Sequence, residues 1–352
     1  MVRNKLYYAL LSGLHPTLPK AELRAILEAE GHRYKILAEF DQLVVYSSEK
    51  SSRGIAQRSG LIHETGRVLA ISDAEEKELL DAVEGINWSE VVNSNDRVRV
   101  ELKRVRGYAE KQLPHEVEHK VARKLDTILP IYRARVTPRD PTKYLRIIVT
   151  EGVAVVGVRE DIQPKRKLHQ HKPRSRPFYY PGSLDPKIGR LFVNLSRASP
   201  GKTYLDPFCG TGGFALEAKT MGIEAICGEI VGKLAEGART NLDVYEGPPA
   251  DTIQWDAVRV PLRDEAIDSI GTDPPYGRSV STRGRPTAEL LEGFIVEAER
   301  ILRKNGYLVA ALPHWIEHAD LLERVGKLEY IEIHYMKVHR SLTRKILVVR
   351  KV

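Results

Sequence analysis

The chain has 352 residues, too many for one ordinary core, so two or three domains are expected. Apolar residues make up 42% and charged residues 29%, as in a soluble globular protein, and no stretch reaches the ~20 apolar residues of a membrane span. The net charge of +8 is unevenly spread: Arg97 to Arg190 holds 23 Lys/Arg against 10 Asp/Glu, a net of +13, which leaves the rest of the chain at −5. A basic middle between near-neutral or acidic flanks points to a polyanionic partner gripped by one region.

The short apolar run Leu6–Leu11 behind Met1-Val2-Arg3-Asn4-Lys5 lacks a long apolar region and a small-residue cleavage site, so a cytoplasmic protein without a signal peptide is expected. Residues 5–11 read as a strand, Leu18–Ala29 as a helix opened by Pro19 and closed by Gly31, and Tyr34–Phe40 and Gln42–Ser47 as two further strands. This β-α-β-β order predicts a small ferredoxin-like domain over residues 1–58. A second α+β domain is predicted over 59–160. It has helices at Asp73–Val83, capped by Ser72 or Asp73, and at Pro114–Leu129. Its strands are Asp96–Val105, Tyr144–Val149 and Val153–Arg159.

Residues 161–187 interleave Lys165, Arg166, Lys167, Lys172, Arg174 and Arg176 with Pro164, Pro173, Pro177 and Pro181, which predicts an extended, exposed basic linker. His169 and His171 have no acidic or thiol partner nearby, so no metal site is assigned. From 188 onward strands alternate with helices, as in a mostly parallel sheet covered on both faces. The strands are Thr203–Leu205, Ala225–Cys227, Thr252–Gln254, Ile267–Thr272, Tyr307–Leu312, Glu329–Val338 and Lys345–Val349. The helices are Phe214–Thr220, Lys233–Val244, Thr287–Leu302 (with a stop signal at Asn305-Gly306) and Trp315–Val325. The only cysteines, Cys209 and Cys227, read as reduced thiols on or near buried strands; a disulfide would fit a hyperthermophilic host.

The first chemical constellation is Asp206-Pro207-Phe208-Cys209-Gly210-Thr211-Gly212-Gly213, directly after a strand and opening a helix. Its glycines allow a tight turn and close approach of a ligand. Taken alone the loop fits NAD or S-adenosylmethionine (SAM). Asp206 tips the balance to SAM, because a carboxylate there can pair with the cationic amino group of the methionine part and would repel a pyrophosphate. Glu229 ends the next strand, where an acid hydrogen-bonds ribose hydroxyls, and Asp256 ends the third, where it can accept from an adenine amino group. With neighbours Ile230 and Ala257, these residues make the candidate donor site.

The second constellation is Asp273-Pro274-Pro275-Tyr276, after the Ile267–Thr272 strand. An exocyclic amine on a base is a poor nucleophile because its lone pair is delocalised into the ring. The Asp273 carboxylate and the Pro274 carbonyl can both accept hydrogen bonds from that amine and favour charge developing on nitrogen. Pro274 and Pro275 hold the turn rigid, and the Tyr276 ring offers a face for a base that has left its stack. The chemistry implied is direct in-line methyl transfer, with positioning supplying much of the acceleration.

The pair Asp206–Gly213 and Asp273–Gly277 resembles the amino-methyltransferases of the Rossmann-like class. Three longer stretches, Thr272–Ser279, Arg176-Pro177-Phe178 with Pro181–Pro186, and Val193-Asn194-Leu195, resemble the archaeal tRNA (guanine-10-N2) methyltransferases. Val98–Gly107 and Tyr144–Gly157 are similar to a THUMP domain, an RNA-binding module. The resemblance implies SAM, a tRNA substrate, a Rossmann-like domain over 188–352, and a THUMP domain over 59–160 that holds the CCA end of tRNA. It places Asp206, Glu229 and Asp256 against SAM and Asp273 at the centre of catalysis. Related eukaryotic enzymes act with a small activating subunit; no residue here speaks for or against one, and a monomer is expected. Arg104, Arg106, Lys165, Arg166, Lys167, Lys172 and Arg174 are the candidate phosphate contacts. Three other readings stay open: an N6-adenine methyltransferase, a non-catalytic RNA-binding protein retaining a SAM pocket, and an NAD-dependent oxidoreductase, in which Asp273–Tyr276 would have no role.

Overall fold

The computed structural model describes residues 4–109, 113–114, 116–276, 284–339 and 342–352. The chain divides into two compact units. The first comprises residues 1–20, 32–57 and 62–163; the second comprises 21–31, 58–61 and 164–352. Helix α1 (Leu18–Ala29) and the short α2 (Ile55–Arg58) cross the division.

The first unit is built on one eight-stranded sheet. Its strands are β1 (Lys5–Leu11), β2 (Tyr34–Phe40), β3 (Leu43–Ser48), β4 (Ile62–Asp73), β5 (Arg97–Arg104), β6 (Arg135–Val136), β7 (Lys143–Thr150) and β8 (Val153–Ile162), in the order β2-β3-β1-β4-β8-β7-β5-β6. Among the described residues, only β5 pairs in parallel, with β6 and β7. The strands of residues 1–58 and of 59–160 therefore share one sheet. Helices α3 (Glu76–Glu84) and α4 (Glu116–Ile128) supply Leu79, Val83, Val117, Val121 and Leu125 to its core, at the spacing of one helix face.

The long β4 is absent from the sequence reading. Its Gly66 hides the strand pattern, yet a Cβ there would stand 2.2 Å from the Val158 carbonyl and 2.6 Å from the Tyr8 ring, so close packing requires the glycine. Ser72 and Asp73, expected to cap a helix, are instead the end of β4, and α3 begins three residues later without a side-chain cap.

In the second unit, the expected extended linker is partly helical: α5 spans Lys165–Gln170, a 3-10 turn spans Pro173–Ser175, and Leu168, His171 and Arg176 are buried. The prolines delimit α5 rather than prevent it. Helix α6 (Pro186–Leu195), capped by Asp185, is not among the expected helices; most of its residues are buried, and Pro186 at its first position falls inside the stretch that reads as linker.

Strands β9 (Thr203–Asp206), β10 (Glu224–Glu229), β11 (Ala250–Gln254), β12 (Ile267–Thr272), β13 (Leu302–Pro313), β14 (Leu328–His339) and β15 (Leu342–Lys351) form a seven-stranded sheet ordered β11-β10-β9-β12-β13-β15-β14. All pairs are parallel except those made by β15, which runs antiparallel to both neighbours. Helices α7 (Gly213–Thr220), α8 (Gly232–Asp243), α9 (Thr287–Ile301) and α10 (His318–Leu322) complete this Rossmann-like unit. Helix α9 passes straight into β13 at Leu302, so Asn305-Gly306 lies within the strand rather than at a helix end. Strand order reverses between β9 and β12, and open α/β sheets bind ligands beyond the strand tips at such a switch point.

Candidate active site

The tips of β9 and β12 carry the two acids singled out in the sequence. Asp206 is 97% buried, and its Oδ1 accepts a hydrogen bond from Thr272 Oγ1 at 2.7 Å and from Phe208 N at 3.2 Å. Burial pushes its carboxyl up to about 7, aided by Glu229 and Asp273 and opposed by the Thr272 bond. A buried carboxylate close to two others is electrostatically poised to receive a cation.

The loop after Asp206 folds back on β10. Cys209 N donates to Gly228 O at 2.9 Å, and Gly212 N to Cys209 O at 2.8 Å. Gly210 and Gly212 have φ of +53° and +79°, which favour glycine. The same fold corrects the reading of the cysteines: they are not free thiols but bonded to each other, with Cα atoms 5.4 Å apart. Register explains this, because Cys227 lies opposite Asp206 and the loop returns Cys209 to it.

Glu229 is 92% buried and binds the backbone on both oxygens, from Gly210 N and Val231 N, each at 2.9 Å. It thus joins the glycine loop to the start of α8. Asp256 receives Arg285 at 2.8 and 3.3 Å and Val258 N at 3.2 Å. Burial raises its carboxyl, but these bonds outweigh it, so the group stays below the ordinary carboxylate range. The acceptor expected for an adenine amino group is therefore shared with Arg285. Phe208 packs edge-on against Phe294 at 5.2 Å, Thr211 Oγ1 meets Ser183 Oγ at 3.1 Å, Ile230 O accepts from Gln254, and Ala257 is buried.

Asp273 lies just past the end of β12. Its Oδ2 meets Arg344 Nη2 at 3.0 Å, and its Oδ1 accepts from the Tyr276 hydroxyl. Burial raises the Asp273 carboxyl above its ordinary value, while Arg344 and Tyr276 pull it back. The Tyr276 hydroxyl, raised by burial and by Asp273, stays a proton donor. Pro274 is buried and Pro275 half-buried. Gly277, Arg278 and Ser279, which continue the motif, lie outside the described residues. Arg344 was missed in the sequence. It stands opposite Pro313 on β15, and no local pattern links it to an acid 71 positions earlier.

Of the candidate phosphate contacts, Lys165, Arg166, Lys167, Lys172 and Arg174 are exposed on α5 and the turn that follows, in the second unit. Arg104 and Arg106 belong to the first. Arg104 is half-buried and donates to Leu113 O, so its guanidinium holds the fold, while Arg106 is exposed and pairs with Asp41 at 2.7 Å.

Residues 173–346 match the family described as RMKL-like, methyltransferase domain. The chain is 33% identical over 348 residues to the tRNA (guanine(10)-N2)-dimethyltransferase of Methanothermobacter thermautotrophicus, covering 97% of this chain and 98% of that protein. It is 30% identical to the Pyrococcus abyssi protein of the same name, covering 96% and 98%. Among solved structures, TrmN from Thermus thermophilus is similar in fold, with a TM-score of 0.51, 21% identity, and coverage of 99% of this chain and 100% of that one. Kinship over nearly the full length of both archaeal relatives places this chain in the family of tRNA (guanine(10)-N2)-dimethyltransferases.

Proposed function

We infer that the protein uses SAM to methylate the exocyclic N2 amino group of a guanosine in tRNA, at position 10, giving N2-methylguanosine and then N2,N2-dimethylguanosine. One observation carries the chemistry: Asp206 and Asp273 project from adjacent strand tips at the switch point, joined through Thr272, within a chain whose full-length relatives bear that activity in their names. Those relatives also favour guanine over the N6-adenine reading.

The site fits SAM on its own features. Asp206 offers a buried carboxylate for the α-ammonium, Gly210 and Gly212 leave the loop open, Glu229 ends β10 and Asp256 lies two residues past the end of β11, where the ribose and adenine are expected. Bound SAM supplies an electrophilic methyl group on a sulfonium. Asp273, and with it the Pro274 carbonyl, accepts hydrogen bonds from the guanine amine, orienting its lone pair and favouring charge on nitrogen. Tyr276 stacks on the flipped base. Both Asp273 oxygens already have partners, so the entering amine takes over a place now held by the Tyr276 hydroxyl. The basic residues Lys165–Arg174, together with a THUMP-type region in residues 59–160, hold the tRNA. The enzyme is read as a cytoplasmic monomer; among the described residues no helix is long and apolar enough to cross a membrane.

Incubation with labelled SAM and unmodified tRNA, followed by nucleoside mass spectrometry, tests this. Methyl groups on guanine N2 are expected. Incorporation at adenine, or none, would overturn it. Asp273→Ala should abolish turnover and leave tRNA binding intact.

A further inference from the structure

Buried side chains pin the segment 165–183 to the second unit, and two large aromatic ones stay outside. Phe178 points inward: a Cβ built on Gly237 of α8 would stand 2.2 Å from its ring. Asn241 fixes the backbone there, accepting from Phe178 N at 2.9 Å and donating to Phe178 O at 3.0 Å. The next two residues do the opposite. Tyr179 is 48% exposed and Tyr180 43%, and among the described residues no aromatic ring or cation stacks on either.

Both tyrosines are held next to the glycine loop. The Tyr180 carbonyl accepts from Ser183 Oγ at 2.8 Å, and Ser183 Oγ lies 3.1 Å from Oγ1 of Thr211, the residue between Gly210 and Gly212. Asn241 also donates to Thr211 O at 3.0 Å, so the segment is tied twice to that one residue. The space beside the pair is open, since a Cβ on Gly182 would have no neighbour within 4 Å. The exposed Lys165, Arg166, Lys167, Lys172 and Arg174 precede the tyrosines on the same segment.

Exposed rings next to cationic chains suit a nucleic acid whose bases are unstacked. A ring offers any base a flat apolar face, while Lys and Arg hold the phosphates. A guanosine that leaves its stack also takes a stacking partner from each neighbour, and a ring that covers an uncovered neighbour returns part of that cost. Building on the tRNA reading, we propose that Tyr179 and Tyr180 form a stacking platform for the nucleotides flanking the target guanosine, and so favour its flipped state beside the methyl donor.

The test compares the double variants Tyr179→Ala with Tyr180→Ala, and Tyr179→Phe with Tyr180→Phe, on intact tRNA and on tRNA with abasic sites on either side of the target. In the Ala pair kcat/KM for tRNA should fall roughly 5- to 150-fold, the range for a lost base–aromatic stack. The Phe pair should recover most of that loss, because a ring without its hydroxyl still stacks. In the Ala pair, S-adenosylhomocysteine affinity and the denaturant midpoint should stay at the wild-type level. Its salt slope of tRNA binding should also be unchanged, since stacking releases no counterions. Abasic flanks should slow the wild type and add little to the loss in the Ala pair. Full activity in the Ala pair overturns the proposal. So does a Phe pair as slow as the Ala pair, a matching loss of S-adenosylhomocysteine affinity, or losses from the rings and the flanks that simply multiply. If the wild type places no methyl group on guanine N2, the functional reading falls and the platform with it.

Discussion

Replacing Arg344 by Met removes the positive charge 3.0 Å from Asp273 and leaves that carboxylate, among the described residues, with the Tyr276 hydroxyl. The two side chains are 12% and 18% exposed, so the pair is largely dry. Breaking a buried pair from one side costs about 3–5 kcal/mol, and residual exposure puts this one near 3 kcal/mol. The cost falls only on ionised Asp273, because the protonated acid leaves no charge unpaired. At about 1.4 kcal/mol per pH unit, the acid limb of kcat/KM should move up by roughly two pH units. The assay is methyl incorporation from labelled SAM into tRNA between pH 5.5 and 9, with Arg344→Lys expected to recover part of the limb. Denaturation gives a second sign. A carboxyl raised in the folded state loses stability as pH rises through its folded value, so Arg344→Met should be destabilised more at pH 8 than at pH 5. A rate lost equally at every pH, with the limb in place, would refute the role assigned to Arg344.

Asp206 should make donor binding pH-dependent. With its carboxyl near 7, S-adenosylhomocysteine affinity should weaken by about eightfold between pH 7.5 and 6, with proton release on binding, and Asp206→Asn should flatten the curve. The Cys209–Cys227 bond closes a loop of 18 residues, so reduction or Cys227→Ala should cost about 3 kcal/mol in denaturant unfolding; an unchanged midpoint would argue against the bond. Neutralising Lys165, Arg166, Lys167, Lys172 and Arg174 together should weaken tRNA binding and flatten its salt dependence, whereas an unaltered slope removes them from the interface. Glu217→Ala strands buried Arg190 and His171, so unfolding should become easier by about 3–5 kcal/mol, seen as a lower denaturant midpoint.

The sequence by itself showed the succession of strands and helices along the second unit and the acids that follow the strands. Strand-helix alternation reads directly as apolar runs between turn signals, and Asp206, Glu229, Asp256 and Asp273 each follow such a run. Local readings failed where the signal is not local. Gly66 looks like a break until Tyr8 and Val158 are seen against it, and α6 starts at a proline inside the stretch that reads as linker. The tertiary structure alone decided the partners of the acids. Arg344 reaches Asp273 because β15 enters the sheet antiparallel beside β13, and Cys227 meets Cys209 because β9 and β10 pair in register. Arg176 lies in a stretch that reads as linker, and only the fold shows its guanidinium buried against Gly213. Spacing along the chain names the residues a strand tip can offer. Charge balance at the site depends on residues that sequence distance keeps far apart.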